Sequence, residues 1–164
     1  MKPKIPIVDK NDNIIDYKYR EEILPTDIYR VSALWITNNK GDVLLAQRAF
    51  NKSHDPGKYG PAVAGTVDEG ETYEQNIIRE AYEELGIKGI VFKLGPKVKR
   101  GGKHLHFTQW FTCVINEPIS YFTIQKNEVA AIKWIPIKNL INDLKINPQK
   151  YLISTPEWVK LFTL

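Results

Sequence analysis

The chain has 164 residues, 43% hydrophobic and 26% charged, with a formal net charge of +4 and one cysteine, Cys113. That is the make-up of a single globular domain with a sizeable core; it excludes an internal disulfide, and the positive excess is too small to point to nucleic acid. The opening MKPKIPIVDKNDN lacks the apolar stretch of a secretion signal and no apolar run reaches membrane-spanning length, so a cytoplasmic location without membrane contact is expected.

Segments over 5–8 and 14–19 predict a small hairpin turning at 10–13, followed by a connection over 20–27 that contains Pro25. Residues 1–27 are read as an N-terminal extension and 28–164 as the domain core. Strands are predicted over 29–36 and 43–48, joined by the turn Asn38-Asn39-Lys40-Gly41-Asp42. A loop over 49–59 holds the strong turn Asp55-Pro56-Gly57. After one well-marked helix come strands over 90–98, 105–115 and 129–135. A short helix over 137–144 follows, then a terminal helix over 156–162 with Thr155 as cap and Pro156 at its first position. Phe107, Trp110, Phe111, Cys113 and Trp134 are read as core. Strands around one helix predict a mixed sheet covered by helices on both faces, an α/β class.

Residues 65–87, GTVDEGETYEQNIIREAYEELGI, carry the densest pattern. Thr72 can cap a helix over 72–85 with Gln75 as the return partner of a capping box, and Gly86 suits the left-handed position that ends it. Ile77, Ile78, Ala81, Tyr82 and Leu85 recur at helical spacing and predict one apolar face. Glu80, Glu83 and Glu84 predict an opposite, acidic face. Like charges on adjacent turns repel, and a hard divalent cation relieves that repulsion. Mg²⁺ favours oxygen ligands, keeps several waters and bridges to phosphates. Gly65 and Gly70 in the preceding loop let backbone come close to a ligand or take a positive φ.

Gly65, Glu71, Arg79, Glu80, Glu83, Glu84 and Gly86 stand in the order G-x5-E-x7-R-E-U-x-E-E-x-G-U, where U is apolar. This pattern resembles an intact Nudix box. The resemblance implies a Nudix α/β/α sandwich with a mixed central sheet, and a pyrophosphohydrolase using Mg²⁺, or Mn²⁺ in its place. Such an enzyme cuts a nucleoside diphosphate linked to another moiety, or a related organic diphosphate. It implies Glu80, Glu83, Glu84 and the Gly65 carbonyl as metal ligands, with Glu71 and Arg79 supporting loop and helix. Glu128, or one of Glu83 and Glu84, would be the general base. A small-molecule diphosphate is the expected partner, and a homodimer, common among relatives, stays open.

The flanking segments IVDKNDNIIDYKYREEI and QRAFNKSHDPGKYGPAVAG are similar to the Nudix branch related to isopentenyl diphosphate isomerase. Arg48, Lys52, Pro56 and Gly57 match its R-x3-K-x3-PG layout, which implies that Arg48 and Lys52 hold a diphosphate. The isomerases need a cysteine directly before the box glycine and a metal-binding histidine after it; here Ala64 and Thr66 stand there. Alanine offers no acid, and the hydrolytic box is whole, so hydrolysis leads. Isomerase chemistry, and a nucleotide- or RNA-binding module, are kept as alternatives. Lys97, Lys99, Arg100 and Lys103 form either an anion-facing turn or a solvated one. His104 and His106 share a strand face and could meet metal or phosphate, or only solvent. His54 reads as a loop residue.

Overall fold

In the computed structural model, which describes residues 1–163, two ten-residue strands run side by side in parallel at the centre. They are β3 (Ile28–Thr37) and β8 (Leu105–Val114), paired along their whole lengths from Ile28↔Leu105 to Thr37↔Val114. The free edge of β3 is used three times. β1 (Ile5–Val8), itself paired with β2 (Ile14–Lys18), meets its start; β6 (Val63–Thr66) pairs with 31–34; β4 (Asp42–Arg48) touches only its end, at Thr37↔Val43. β3 and β4 then diverge. β4 pairs with β5 (Tyr59–Pro61) and β9 (Val129–Pro136), while β7 (Lys93–Arg100) completes the other side on β8. The result is a nine-stranded mixed sheet.

Strand alternation sorts the core into two layers. Leu34 and Ile36 of β3 face α1 (Tyr73–Leu85) together with Leu44, Phe111 and Cys113. Ala33 and Trp35 face the other way, toward α2 (Ile137–Ile146) and α3 (Thr155–Thr163), with Trp110, Leu140 and Trp158. Helices therefore cover both faces of a mixed sheet, the α/β/α sandwich expected. Phe107, Trp110, Phe111 and Cys113 are buried as predicted. Trp134 is only partly buried and donates its Nε1 to the Glu117 carbonyl at 3.1 Å.

Three expectations are corrected. Ile78 and Tyr82 are 46% and 54% exposed, and the buried stripe of α1 is Tyr73, Asn76, Ile77, Ala81 and Leu85. At 3.6 residues per turn, Ile78 and Tyr82 lie about 100° around from Ile77 and Ala81, outside the strip the sheet can cover. The strand after α1 starts at Lys93 rather than at 90; Ile90 and Phe92 pack on the core from a loop. Thr155 does not cap α3: its hydroxyl is buried without a partner, and the Ser154 carbonyl takes the N–H groups of Glu157 and Trp158.

Candidate active site

The acidic loop and the helix it feeds are joined through one guanidinium. Arg79 donates Nε to Glu71 Oε1 at 2.6 Å and Nη2 to Asp68 Oδ2 at 3.1 Å. Its Nη1 reaches Glu83 Oε2 at 3.0 Å, and Nη2 lies 3.2 Å from Glu80 Oε1. Glu71 also accepts from the Asp68 N–H at 3.0 Å and from Asn76 Nδ2 at 3.0 Å. Burial pushes the Glu71 carboxyl up, but these bonds outweigh it and hold the group below the usual carboxylate range. Asn76, wholly buried, also donates to the Thr66 carbonyl at 2.9 Å, so one amide ties β6, the loop and the helix together.

The helix itself is held at both ends as its sequence predicts. Thr72 Oγ1 accepts from the Gln75 N–H at 3.1 Å, and Gln75 Oε1 accepts from the Thr72 N–H at 2.9 Å. Gly86 closes it at φ +68°, donating its N–H to the Tyr82 carbonyl at 2.9 Å.

The three glutamates lie within about 100° of one another around the helix but differ in exposure. Glu80 and Glu84 are about 40° apart around the helix and turn inward toward β6, whereas Glu83 is exposed beside Arg79. Glu80 lies against bare backbone: a Cβ on Gly65 would stand 2.3 Å from its Cδ. Burial pushes the Glu80 carboxyl up to about 7, with Arg79 opposing and Glu83, Asp68 and Glu71 adding to the rise. Burial, with the charges of Glu80 and Glu128, pushes Glu84 up to about 8 against Lys52 and the Ala64 N–H. Among the described residues no three His, Cys, Asp or Glu side chains stand at the spacing of a metal site. Glu80 and Glu83 direct their charge to Arg79 instead.

This donor set still fits a hard divalent ion. It offers oxygen atoms only: two half-buried carboxylates with raised pKa values, beside the backbone of Gly65, where no Cβ intervenes. Gly65, Glu80 and Glu84 could hold such an ion where they stand; Glu83 would have to leave Arg79 to join them.

Lys52 and Glu128 complete this corner as an ion pair, brought together because the Ala49 N–H donates to the Glu128 carbonyl at 3.0 Å. Arg48 points along its loop and donates Nε to the His54 carbonyl at 3.0 Å. Gly57, at φ +73°, sits beneath the Phe50 ring, which is 72% exposed. The predicted basic turn is mostly not a turn. Lys97, Lys99 and Arg100 belong to β7; Lys97 pairs with Asp12 at 2.6 Å, Arg100 with Glu157 at 2.6 Å, and Lys99 lies over the Phe107 ring. His104 and His106 do not approach the glutamates closely enough to form a metal cluster with them.

Asp68 and Asn76 were missed in the sequence. A polar residue on the apolar stripe of α1 was the available signal for Asn76. Nothing local marks Asp68, whose partnership with Arg79 exists only once the loop folds back.

Comparison with known proteins agrees with the geometry. The sequence profile of the NUDIX domain matches residues 28–155. The chain belongs to the NUDIX domain family. It is 29% identical over 140 residues to an uncharacterized Nudix hydrolase of Yersinia pestis, covering 80% of this chain and 71% of that one. It is 32% identical over 135 residues to an isopentenyl-diphosphate Delta-isomerase of Klebsiella pneumoniae, covering 80% and 73%. The crystal structure of DR0079 from Deinococcus radiodurans superposes with a TM-score of 0.82 at 19% identity, over 96% of this chain and 97% of that one. As a Nudix protein with an unbroken box, this chain is an enzyme of the pyrophosphohydrolase type. Among the described residues no helix is long and apolar enough to cross a membrane.

Proposed function

We propose that this Nudix protein hydrolyses the P–O–P bridge of a nucleoside diphosphate linked to another moiety, or of a related organic diphosphate, with Mg²⁺ or Mn²⁺. The observation that carries this reading is the half-buried pair Glu80 and Glu84, with Glu80 against the backbone of Gly65. Two carboxylates with raised pKa values in one recess are costly unless a cation completes them.

Gly65, Glu80, Glu84 and, after release from Arg79, Glu83 would hold the cation. When bound it would polarise a phosphoryl oxygen and lower the pKa of a water. The remaining work falls to the chain. Arg48, at the end of β4, and Lys52, on the loop after it, hold the diphosphate as charged donors and offset the charge that grows on its oxygens. Glu128 accepts a proton from the attacking water; it stands beside Glu84 and is paired with Lys52. Arg79 and Glu71 keep the loop and helix in register, so that Gly65 and Glu80 stay in contact.

The isomerase reading draws on the Klebsiella relative and on the Arg48–Gly57 layout. It lacks an acid at the required place, because Ala64 precedes Gly65. Cys113 cannot substitute: it is buried in β8, and burial pushes its thiol up to about 12.

The test is a metal-dependent hydrolysis screen of the purified chain against nucleotide sugars, ADP-ribose, dinucleotides, nucleoside triphosphates and isopentenyl diphosphate. Glu83→Gln and Glu84→Gln serve as controls. Turnover by wild type and loss in the variants supports the proposal. Formation of the allylic isomer without phosphate release would replace it with the isomerase.

A further inference from the structure

Lys52 has two partners to serve and one ammonium to serve them with. As a diphosphate holder it must face the substrate, yet in the free chain it is paired with Glu128, the proton acceptor. Among the described residues neither group forms any other ion pair. Arg48 is engaged with the His54 carbonyl at 3.0 Å, so Glu128 is left without a cation when Lys52 leaves it.

The two partners are held differently. The Glu128 N–H closes a turn on the Gln125 carbonyl at 2.9 Å, and the Gln125 N–H donates to the Glu84 carbonyl, on the last turn of α1, at 3.0 Å. The Val129 N–H shares the Gln125 carbonyl at 2.8 Å, and the Val129 side chain is buried. From the other side the buried Ala49 donates its N–H to the Glu128 carbonyl at 3.0 Å. The backbone of Glu128 is therefore pinned to α1 and to the end of β4. Lys52 follows three residues after Ala49, in a loop, and carries its charge on a flexible four-carbon stem with three donors. The carboxylate is fixed and the ammonium can swing.

Both side chains are half-exposed, and an ion pair in that setting is held weakly. Phosphoryl oxygens accept charge-assisted hydrogen bonds from the same ammonium and bring more negative charge than one carboxylate. Glu84 stands where the charges of both Glu128 and Lys52 reach it, so the exchange takes place at the rim of the acidic recess.

We infer that Lys52 makes proton acceptance conditional on the substrate: a phosphoryl group arriving at Lys52 draws the ammonium off Glu128 and leaves that carboxylate free for the attacking water. A ligand that places no phosphoryl oxygen at Lys52 leaves Glu128 paired, which makes Lys52 a specificity-determining residue as well as a holder. The roles of the two residues rest on the hydrolase reading above; the exchange of partners is read without turnover.

The experiment is carboxyl ¹³C NMR of the full chain labelled in its glutamates, with Glu128→Gln identifying the signal. The probe is imidodiphosphate in the presence of Mg²⁺, because its P–N–P bridge resists hydrolysis. At saturation the Glu128 signal should move to the position it takes in ligand-free Lys52→Gln. Lys52→Gln should bind the probe about tenfold more weakly or worse, from the loss of a charged donor, and Lys52→Arg, which keeps one, should retain the response. A Glu128 signal that stays in place while the probe saturates the chain overturns the inference, because Lys52 then serves both groups at once. So does an equal shift in Lys52→Gln at its own saturation, which comes from the charge of the ligand and not from an exchange. A chain that binds no imidodiphosphate overturns it together with the diphosphate role of Lys52. Exchange in a chain that cuts no diphosphate would remove the hydrolase reading and leave the exchange. Diphosphate turnover with an unmoved Glu128 signal would do the reverse.

Discussion

Gly65 is where a single missing atom decides the site. A Cβ there would sit 2.3–2.4 Å from Glu80 Cγ, Cδ and Oε1, and the far end of a glutamate can swing away without disturbing the sheet. Gly65→Ala should therefore lower kcat by about 100-fold, as displacement of a catalytic group does. The melting temperature measured in chelator should stay close to wild type; an active alanine variant would separate Glu80 from the chemistry. Arg79 is the second decisive residue. Its fork reaches four carboxylates at once, those of Asp68, Glu71, Glu80 and Glu83. A lysine keeps the charge but has no planar fork. Arg79→Lys should cost at least about tenfold in kcat/KM and about 1–3 kcal/mol in urea denaturation, because Glu71 and Asp68 lose hydrogen bonds to a charged donor. The box residues were legible in the sequence because their spacing is local to one loop and one helix. Their division of labour was not: Glu80 and Glu84 turn inward and Glu83 outward only because β6 stands where it does.

At the scale of elements, the N-terminal hairpin is fastened by its tip. Asp12, at φ +66°, accepts from Arg30 Nε at 2.7 Å, from Lys97 Nζ at 2.6 Å and from Tyr73 Oη at 3.0 Å. One carboxylate thus joins the hairpin to β3, β7 and the first turn of α1. Burial pushes the Asp12 carboxyl up, but Lys97, Arg30 and Tyr73 outweigh it and hold it below its ordinary value of 3.8. A depressed carboxylate contributes stability above its unfolded pKa and loses it as pH falls through the folded one. Asp12→Asn should cost about 3 kcal/mol at pH 7, from the cations left without their partner. That deficit, read from urea midpoints, should narrow as pH drops below about 4. A constant gap across pH would show that the contact works through shape rather than charge. The hairpin strands themselves were readable as two short segments on either side of a polar turn. Its fastening was not, because Asp12, Arg30, Tyr73 and Lys97 are far apart in the chain and no local rule links them. The start of β7 was misread for a related reason: Ile90 and Phe92 look like strand residues but are consumed by packing on the core from a loop.

For the whole molecule, the proposed metal site would couple cation binding to stability. Glu80 and Glu84 are half-buried at a cost that a bound cation would relieve, so on the proposed function Mg²⁺ or Mn²⁺ should raise the melting temperature. The gain is about 2.7 kcal/mol at a metal concentration one hundred times Kd. Glu84→Gln should flatten this response in a thermal-shift titration, and an unchanged response would place the ion elsewhere. Lys18, Lys52, Lys97 and Arg100 are paired locally, with Asp27, Glu128, Asp12 and Glu157.

The sequence by itself determined the family, the capped helix, the alternating strands and the identity of the box residues. Each of these is written in contacts between residues close in the chain: capping, period and turn chemistry. Tertiary structure alone decided which glutamates are buried and that Lys52 meets Glu128. It also brought His54 and His104, from two different loops, edge to face. These are outcomes of sheet pairing between distant segments. The divergence of β3 from β4 and the parallel register of β3 on β8 set them, and neither is encoded at any single position.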